Sequence, residues 1–215
     1  GITMTQYGFY FDSSRCTGCK TCEMACKDYK DLSQTVAFRK VYDYEGGTWT
    51  AADDGSYTTD AYAYHVSLAC NHCDMPACMG ACPSGAIDKD QKTGIVRIHD
   101  DKCTASGACV EACPYNVPIL DTEKGYAVKC DLCYDRVTNG QNPICVEACP
   151  LRALEFGEIE DLRVKYGDTA AIAPMPSPDE TQPNIAIKAC DAAKEPGDST
   201  GAIVNVMEVT GTPAA

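Results

Sequence analysis

The chain has 215 residues, with 31 Asp and Glu against 18 Lys and Arg, a formal net charge of −13, and 16 cysteines. That acidity argues against nucleic acid, which rewards clustered Lys and Arg, and against a polybasic hold on anionic lipid. Only 35 residues are Leu, Ile, Val or Phe, below the roughly one-fifth at which a highly charged chain is expected to be disordered, yet 16 Cys and 12 Tyr do not belong in a disordered acidic tail.

In chain order, Gly1 to Gln6 holds neither a basic nor an apolar leader region, so no signal peptide is expected. Gln6 to Asp12 alternates aromatic and polar residues, the mark of a short strand. The first cysteine group, Cys16, Cys19, Cys22 and Cys26, is C-x2-C-x2-C-x3-C, with a helix predicted from Lys20 to Lys30. Residues 34–68 are β-branched and aromatic, with turns at Glu45-Gly-Gly47 and Asp53-Asp-Gly55, and predict hairpins. The second group, Cys70, Cys73, Cys78 and Cys82, is C-x2-C-x4-C-x3-C-P. A hairpin is predicted after it, with Ala86-Ile87 and Ile95 to Ile98 flanking Thr93-Gly94. The third group has Cys103, Cys109 and Cys113, with Ser106 where another cysteine would fall. A second hairpin follows, Pro118 to Leu120 and Tyr126 to Val128 around Lys124-Gly125. The fourth group is Cys130, Cys133, Cys145 and Cys149, and Glu158 to Tyr166 reads as a short charged helix. Residues 167–215 are rich in Pro, Ala, Asp and Thr. They predict strand-like pieces at Ile185 to Ile187 and Ile203 to Val206, in a tail that wraps over the body or a partner. The longest uncharged stretches, Ala61 to Cys73 and Met75 to Ile87, are too short to span a bilayer.

Spacing selects the cysteine chemistry. Disulfide frameworks spread cysteines to close long loops. Zinc takes two pairs per ion. Here each group ends in a further cysteine, three of them followed by proline, which is the bacterial ferredoxin run: three cysteines hold one iron–sulfur cluster and the fourth ligates its neighbour. Pro83, Pro114 and Pro150 are expected to stop the helical turn that carries that fourth cysteine. With so few aliphatic residues, clusters and thiolates are expected to take the place of a core. The 34–68 hairpins and the tail are expected to lack a burial partner within the chain, so the isolated chain should aggregate. His72, between two cysteines, is expected to hydrogen-bond beside a cluster, and Cys190 to be a free thiol. Arg15, Lys20, Lys102, Lys129 and Arg136 lie next to cysteines, where positive charge either raises cluster potentials or balances thiolates. No catalytic constellation is visible among the three histidines His65, His72 and His99.

The segments Gln6 to Cys22, Cys70-Asn-His-Cys73, Cys82-Pro-Ser-Gly-Ala86 and Pro143 to Leu154 resemble the four-cluster electron-transfer subunits of the dimethyl sulfoxide reductase family, over about residues 4–190. The resemblance implies an α+β fold of two interleaved bacterial-ferredoxin-like domains, 1–33 with 125–157 and 66–124. A hairpin insertion at 34–65 and a helix with an extended tail at 158–215 complete it. It implies one cluster on Cys16, Cys19, Cys22 and Cys149, a second on Cys130, Cys133, Cys145 and Cys26, and a third on Cys70, Cys73, Cys78 and Cys113. The fourth site has Cys82, Cys103 and Cys109, with Ser106 in the vacant ligand position. A hydroxyl binds iron well only as an alkoxide and reaches less far, metal–oxygen bonds being roughly 0.2 Å shorter than metal–sulfur ones. The expected cofactors are therefore three [4Fe-4S] clusters and one [3Fe-4S], or a serine-associated [4Fe-4S]. The implied partners are a large molybdopterin catalytic subunit and a membrane anchor. The implied place is peripheral to the cytoplasmic membrane on its extracytoplasmic face, reached by partner-dependent export, with the cytoplasm as the alternative. Two other functions stand beside this one: a polyferredoxin-like subunit of a soluble dehydrogenase or reductase, and a zinc-stabilised interaction module.

Overall fold

The computed structural model describes residues 4–211; the first three, on which the absence of a leader was partly read, and the last four lie outside it. The aromatic alternation at the start becomes strand β1, Tyr7–Asp12, buried along nearly its whole length. Phe9 and Phe11 enter the main core, while Tyr10 faces the opposite way against Ile159, Leu162 and Ala186. A strand apolar on both faces needs cover on both, and β1 is accordingly central. It pairs antiparallel with β10, Leu154–Glu158, and parallel with β11, Ile185–Lys188.

Helix α1 runs Thr21–Tyr29 through Cys22 and Cys26. The hairpin region forms β2, Lys40–Gly46, β3, Trp49–Ala51, β4, Tyr57–Thr59, and β5, Tyr62–Leu68. The turn at Asp53 to Gly55 is the tip of the β3–β4 pair. The glycines at 46–47 do not close a hairpin: β2 pairs with β5 over seven residues, and the chain kinks there into the exposed tip. Three short helices carry the cysteine that precedes each proline: α2, Ala77–Ala81, α3, Ala108–Ala112, and α5, Ile144–Ala148. Each stops at a cysteine with extended backbone (Cys82, Cys113 and Cys149), as a following proline requires. Hairpins β6–β7, Ile87–Lys89 with Val96–Ile98, and β8–β9, Ile119–Asp121 with Tyr126–Val128, follow the first two. Helix α4, Tyr134–Val137, lies between Cys133 and Cys145. After α5 the strand is β10, which pairs with β1, followed by helix α6, Ile159–Tyr166.

Two further expectations are corrected. The tail's last strand, β12, Gly201–Ile203, pairs with β2; Val206 belongs instead to helix α7, Val206–Thr210. Asn205 makes that turn, its amide donating to Val41 O at 2.8 Å and its Oδ1 accepting from Asp43 N at 2.9 Å. The hairpins and the tail also have burial partners within the chain. Val36, Phe38, Val41, Tyr44, Tyr64 and Val66 share one cluster with Ile172, Met175, Ile187 and Val209. Tyrosine supplies what the aliphatic count left out: Tyr10, Tyr42, Tyr44, Tyr64 and Tyr115 are all buried. Cys22, Cys26, Cys70, Cys73, Cys130, Cys145 and Cys149 lie in the same core as Phe9 and Phe11.

Candidate metal centres

The loops fold so that cysteines distant in sequence face one another. Cys16, Cys19 and Cys22 line a cavity together with Cys149, under Phe11, Val41 and Leu154. Cys26 points away from that loop into a second cavity, with Cys130, Cys133 and Cys145. Cys70, Cys73, Cys78 and Cys113 line a third. Cys109 packs with Ile87, Val96 and Ala127, and Cys82 and Cys103 flank that smaller cluster. Ser106 is exposed, and its Oγ accepts from Ala108 N at 3.4 Å, across the start of α3. Cys190 lines none of these three cavities; it shares an open groove with Cys16, and its backbone N–H donates to Ser13 Oγ at 2.7 Å.

Backbone amides aim at the sulfurs. Cys149 Sγ accepts from Ala153 N at 3.3 Å, Cys130 Sγ from Leu132 N at 3.4 Å, and Cys70 Sγ from His72 N at 3.4 Å. Cys82 and Cys103 accept likewise from Ala86 N and Ala127 N, at 3.3 and 3.4 Å. Such contacts come from left-handed turns within the loops: Gly18 has φ +68°, and a Cβ there would lie 2.6 Å from His65 Nδ1. His65 itself is held by Asp43, 2.7 Å away. No other residue fits that position without displacing the histidine.

The thiols are costly to ionise alone. Burial pushes Cys16 up to about 11, and Cys26, Cys73 and Cys78 up to about 12. Exposed Cys19 moves the other way, lowered first by its hydrogen bond with Thr21. Metal ligation needs the thiolate, so binding must displace protons from these buried sets. Among the described residues no three His, Cys, Asp or Glu converge closely enough to hold one ion; the sulfurs instead ring a space. A ring of four thiols around a cavity fits a polynuclear cluster better than a single tetrahedral zinc.

Two buried cations complete the picture. Lys129, among the five basic residues singled out in sequence, is the only one of them buried; it donates to Cys70 Sγ at 3.5 Å and to Cys130 O at 2.9 Å. The others are peripheral, Arg15 on Asp12 at 3.5 Å and Lys20 on Glu208. Arg39 was not legible as a site residue, because it lies in the bend before β2, outside every cysteine group in sequence. Its Nη1 donates to Ser67 Oγ at 3.1 Å and it stacks on Phe9, 4.6 Å from the ring centre. Its Nε and Nη2 have no oxygen partner and the side chain lines the cavity of Cys26, Cys130, Cys133 and Cys145. His72 behaves as expected: Nδ1 accepts from Val96 N at 2.9 Å, and burial, then Lys129, hold it well below the usual imidazole range.

Loops of this form, gathering cysteines around cavities lined with amides, define a ferredoxin-type iron–sulfur protein. Sequence comparison agrees: residues 61–159 match a 4Fe-4S dicluster domain and residues 7–28 a 4Fe-4S binding domain. The sequence is 53% identical over 205 residues to the B subunit of anaerobic dimethyl sulfoxide reductase from Escherichia coli strain K12, covering 95% of this protein and 99% of that one. It is 52% identical over 206 residues to the corresponding B subunit of Haemophilus influenzae, covering 96% and 100%. The formate dehydrogenase iron-sulfur subunit of H. influenzae is 32% identical over 161 residues, 71% of this protein and 52% of that one. The protein belongs to the family of anaerobic dimethyl sulfoxide reductase iron–sulfur B subunits, and it is an electron-transfer subunit carrying clusters of the 4Fe-4S type.

Proposed function

We propose that the chain relays single electrons through four clusters, between a membrane anchor that oxidises quinol and a large molybdopterin catalytic subunit. The observation that carries the ligand sets is the meeting of four cysteines around each of three cavities. Cys16, Cys19, Cys22 and Cys149 hold one [4Fe-4S] cluster, Cys26, Cys130, Cys133 and Cys145 a second, and Cys70, Cys73, Cys78 and Cys113 a third. Cys82, Cys103 and Cys109 hold a [3Fe-4S] cluster. The costly deprotonation and shorter reach of the Ser106 hydroxyl support this reading against an alkoxide ligand. When bound, each cluster supplies a one-electron centre; the chain spaces the centres, excludes water and directs N–H groups at sulfur. The exchange of Cys26 and Cys149 between the first and fourth groups favours interleaved domains, supported by the β1–β10 pairing. No helix among the described residues is long and apolar enough to cross a membrane, which suits a peripheral place held by partners, on the extracytoplasmic face.

The test is Cys26→Ala in the assembled complex. It should remove the cluster of Cys130, Cys133 and Cys145 and leave the Cys16 set intact. Loss of the Cys16 set with the fourth-group cluster preserved overturns the assignment. The identity of the large subunit that copurifies, and the presence of an anchor, tests the complex.

A further inference from the structure

Among the described residues Arg39 and Lys129 are the only lysine or arginine side chains in the buried class, 2% and 6% exposed. Neither forms an ion pair with a carboxylate among those residues. A cation buried without an opposite charge is strongly unfavourable, so what surrounds these two must supply one. Their neighbours are neutral carbonyls, Ser67 and the Phe9 ring, and beyond these the ionisable groups at hand are cysteines. Arg39 reaches the first set through Ser67, whose Oγ lies 3.3 Å from Cys22 Sγ, and its other nitrogens line the cavity of the second set. Lys129 touches Cys70 of the third set and lies against Cys130 of the second, while lining the third cavity. Each cation therefore stands at a junction between two cysteine sets. Around Cys82, Cys103 and Cys109 no buried cation donates to a cysteine sulfur among the described residues; Lys129 comes nearest, donating to the carbonyl of Val96, which packs beside Cys109, and neighbouring Lys102 is exposed.

We infer that Arg39 and Lys129 are positioning residues for electron flow: fixed positive charges at the two inner junctions that favour the reduced form of the clusters on either side. The inference rests on the ligand sets proposed above. Reduction adds one negative charge to a cluster, and an opposite charge nearby in a poorly screened interior stabilises that added charge. Because each cation is shared, it raises the two sets beside it together, the second set being raised by both, while the Ser106 site lies outside the reach of Arg39.

The experiment is a potentiometric titration of the assembled complex followed by electron paramagnetic resonance, on wild type and four variants. Arg39→Gln and Lys129→Gln keep a hydrogen-bond donor and remove the charge; Arg39→Lys and Lys129→Arg keep the charge. Arg39→Gln should lower the reduced-to-oxidised ratio of the first and second sets about tenfold at fixed potential, about 59 mV for one electron. Lys129→Gln should do the same for the second and third sets. The charge-keeping variants should restore most of each shift, and the Ser106 site should not move in Arg39→Gln. A merely structural role would lower the yield of assembled complex with unmoved potentials in what assembles, and that result overturns the inference. A uniform shift of all four clusters overturns it as well. A wild-type complex lacking signals from four clusters would overturn the ligand sets with it, whereas a full set of unmoved signals overturns this inference alone.

Discussion

The first and third cysteine loops are the same turn built twice with one residue exchanged. Cys16-x2-Cys19-x2-Cys22 and Cys103-x2-Ser106-x2-Cys109 follow matching backbones: left-handed at Gly18 and Ala105, φ +68° and +55°, and again at Lys20 and Gly107, φ +60° and +76°. In both, the middle residue is exposed and faces the first turn of a helix, Cys19 towards Thr21 and Ser106 towards Ala108. The difference lies behind the loops. The first rests on Phe11, Val41 and Leu154 of the main core; the third rests on a small cluster around Ile87, Val96 and Ala127. The serine thus replaces a cysteine without changing the path of the chain.

The largest blow to that contrast is Phe11→Ala. It empties the floor of the first loop, where Phe11 is fully buried, and should cost about 3–5 kcal/mol, read as a lowered denaturant midpoint with early loss of the Cys16 set. Exchanging the middle residues comes next. Ser106→Cys should add one iron per chain and abolish the oxidised-state paramagnetic signal of a three-iron centre, the four-iron form being silent in that state. Cys19→Ser should do the reverse at the first loop, because the backbones match. A silent oxidised wild-type sample with full iron content would sink the three-iron assignment. Gly107→Ala should cost about 1–2 kcal/mol from its left-handed backbone alone, since a Cβ there meets nothing within 4 Å; a larger loss would mean the third loop is more tightly held than the first. The smallest effect is alkaline. Tyr64, beside the first loop, has its phenol pushed up to about 12, by burial foremost, and its OH donates to Ala173 O at 2.6 Å. A raised phenol favours the folded state fully below pH 10 and loses that contribution as pH rises towards 12. Tyr64→Phe should flatten the decline in stability across that window.

The cysteine groups, the proline stops and the hairpins after Cys82 and Cys113 were legible because each is written within some twenty residues and enforced by local chemistry. The cavities were legible only through a family resemblance, since nothing in spacing says that Cys149 faces Cys16. Arg39 was hidden for the same reason: its partners Ser67, Cys22 and Cys145 come from three other segments. The strand at Ile185 to Ile187 and a tail laid over the body were legible, but the neighbour that β11 takes was not. Its burial comes from lying beside β1, where Phe9 meets Ile185 and Phe11 meets Ile187.

That last pairing has a consequence in time. Phe9 must wait for Ile185, and Tyr44 for Ile203, so neither sheet is complete until most of the chain has been synthesised. At about 5–20 residues per second, the central strand leaves the ribosome on the order of ten seconds or more before its parallel neighbour exists. Until then its apolar faces and open edges are available to other chains. Contacts this far apart also make closure slow once the partners are present. The cysteines are exposed through the same interval, with Cys16 made long before Cys149. Sheet closure and the meeting of Cys16 with Cys149 are therefore both late events, for they wait on the same distant part of the chain.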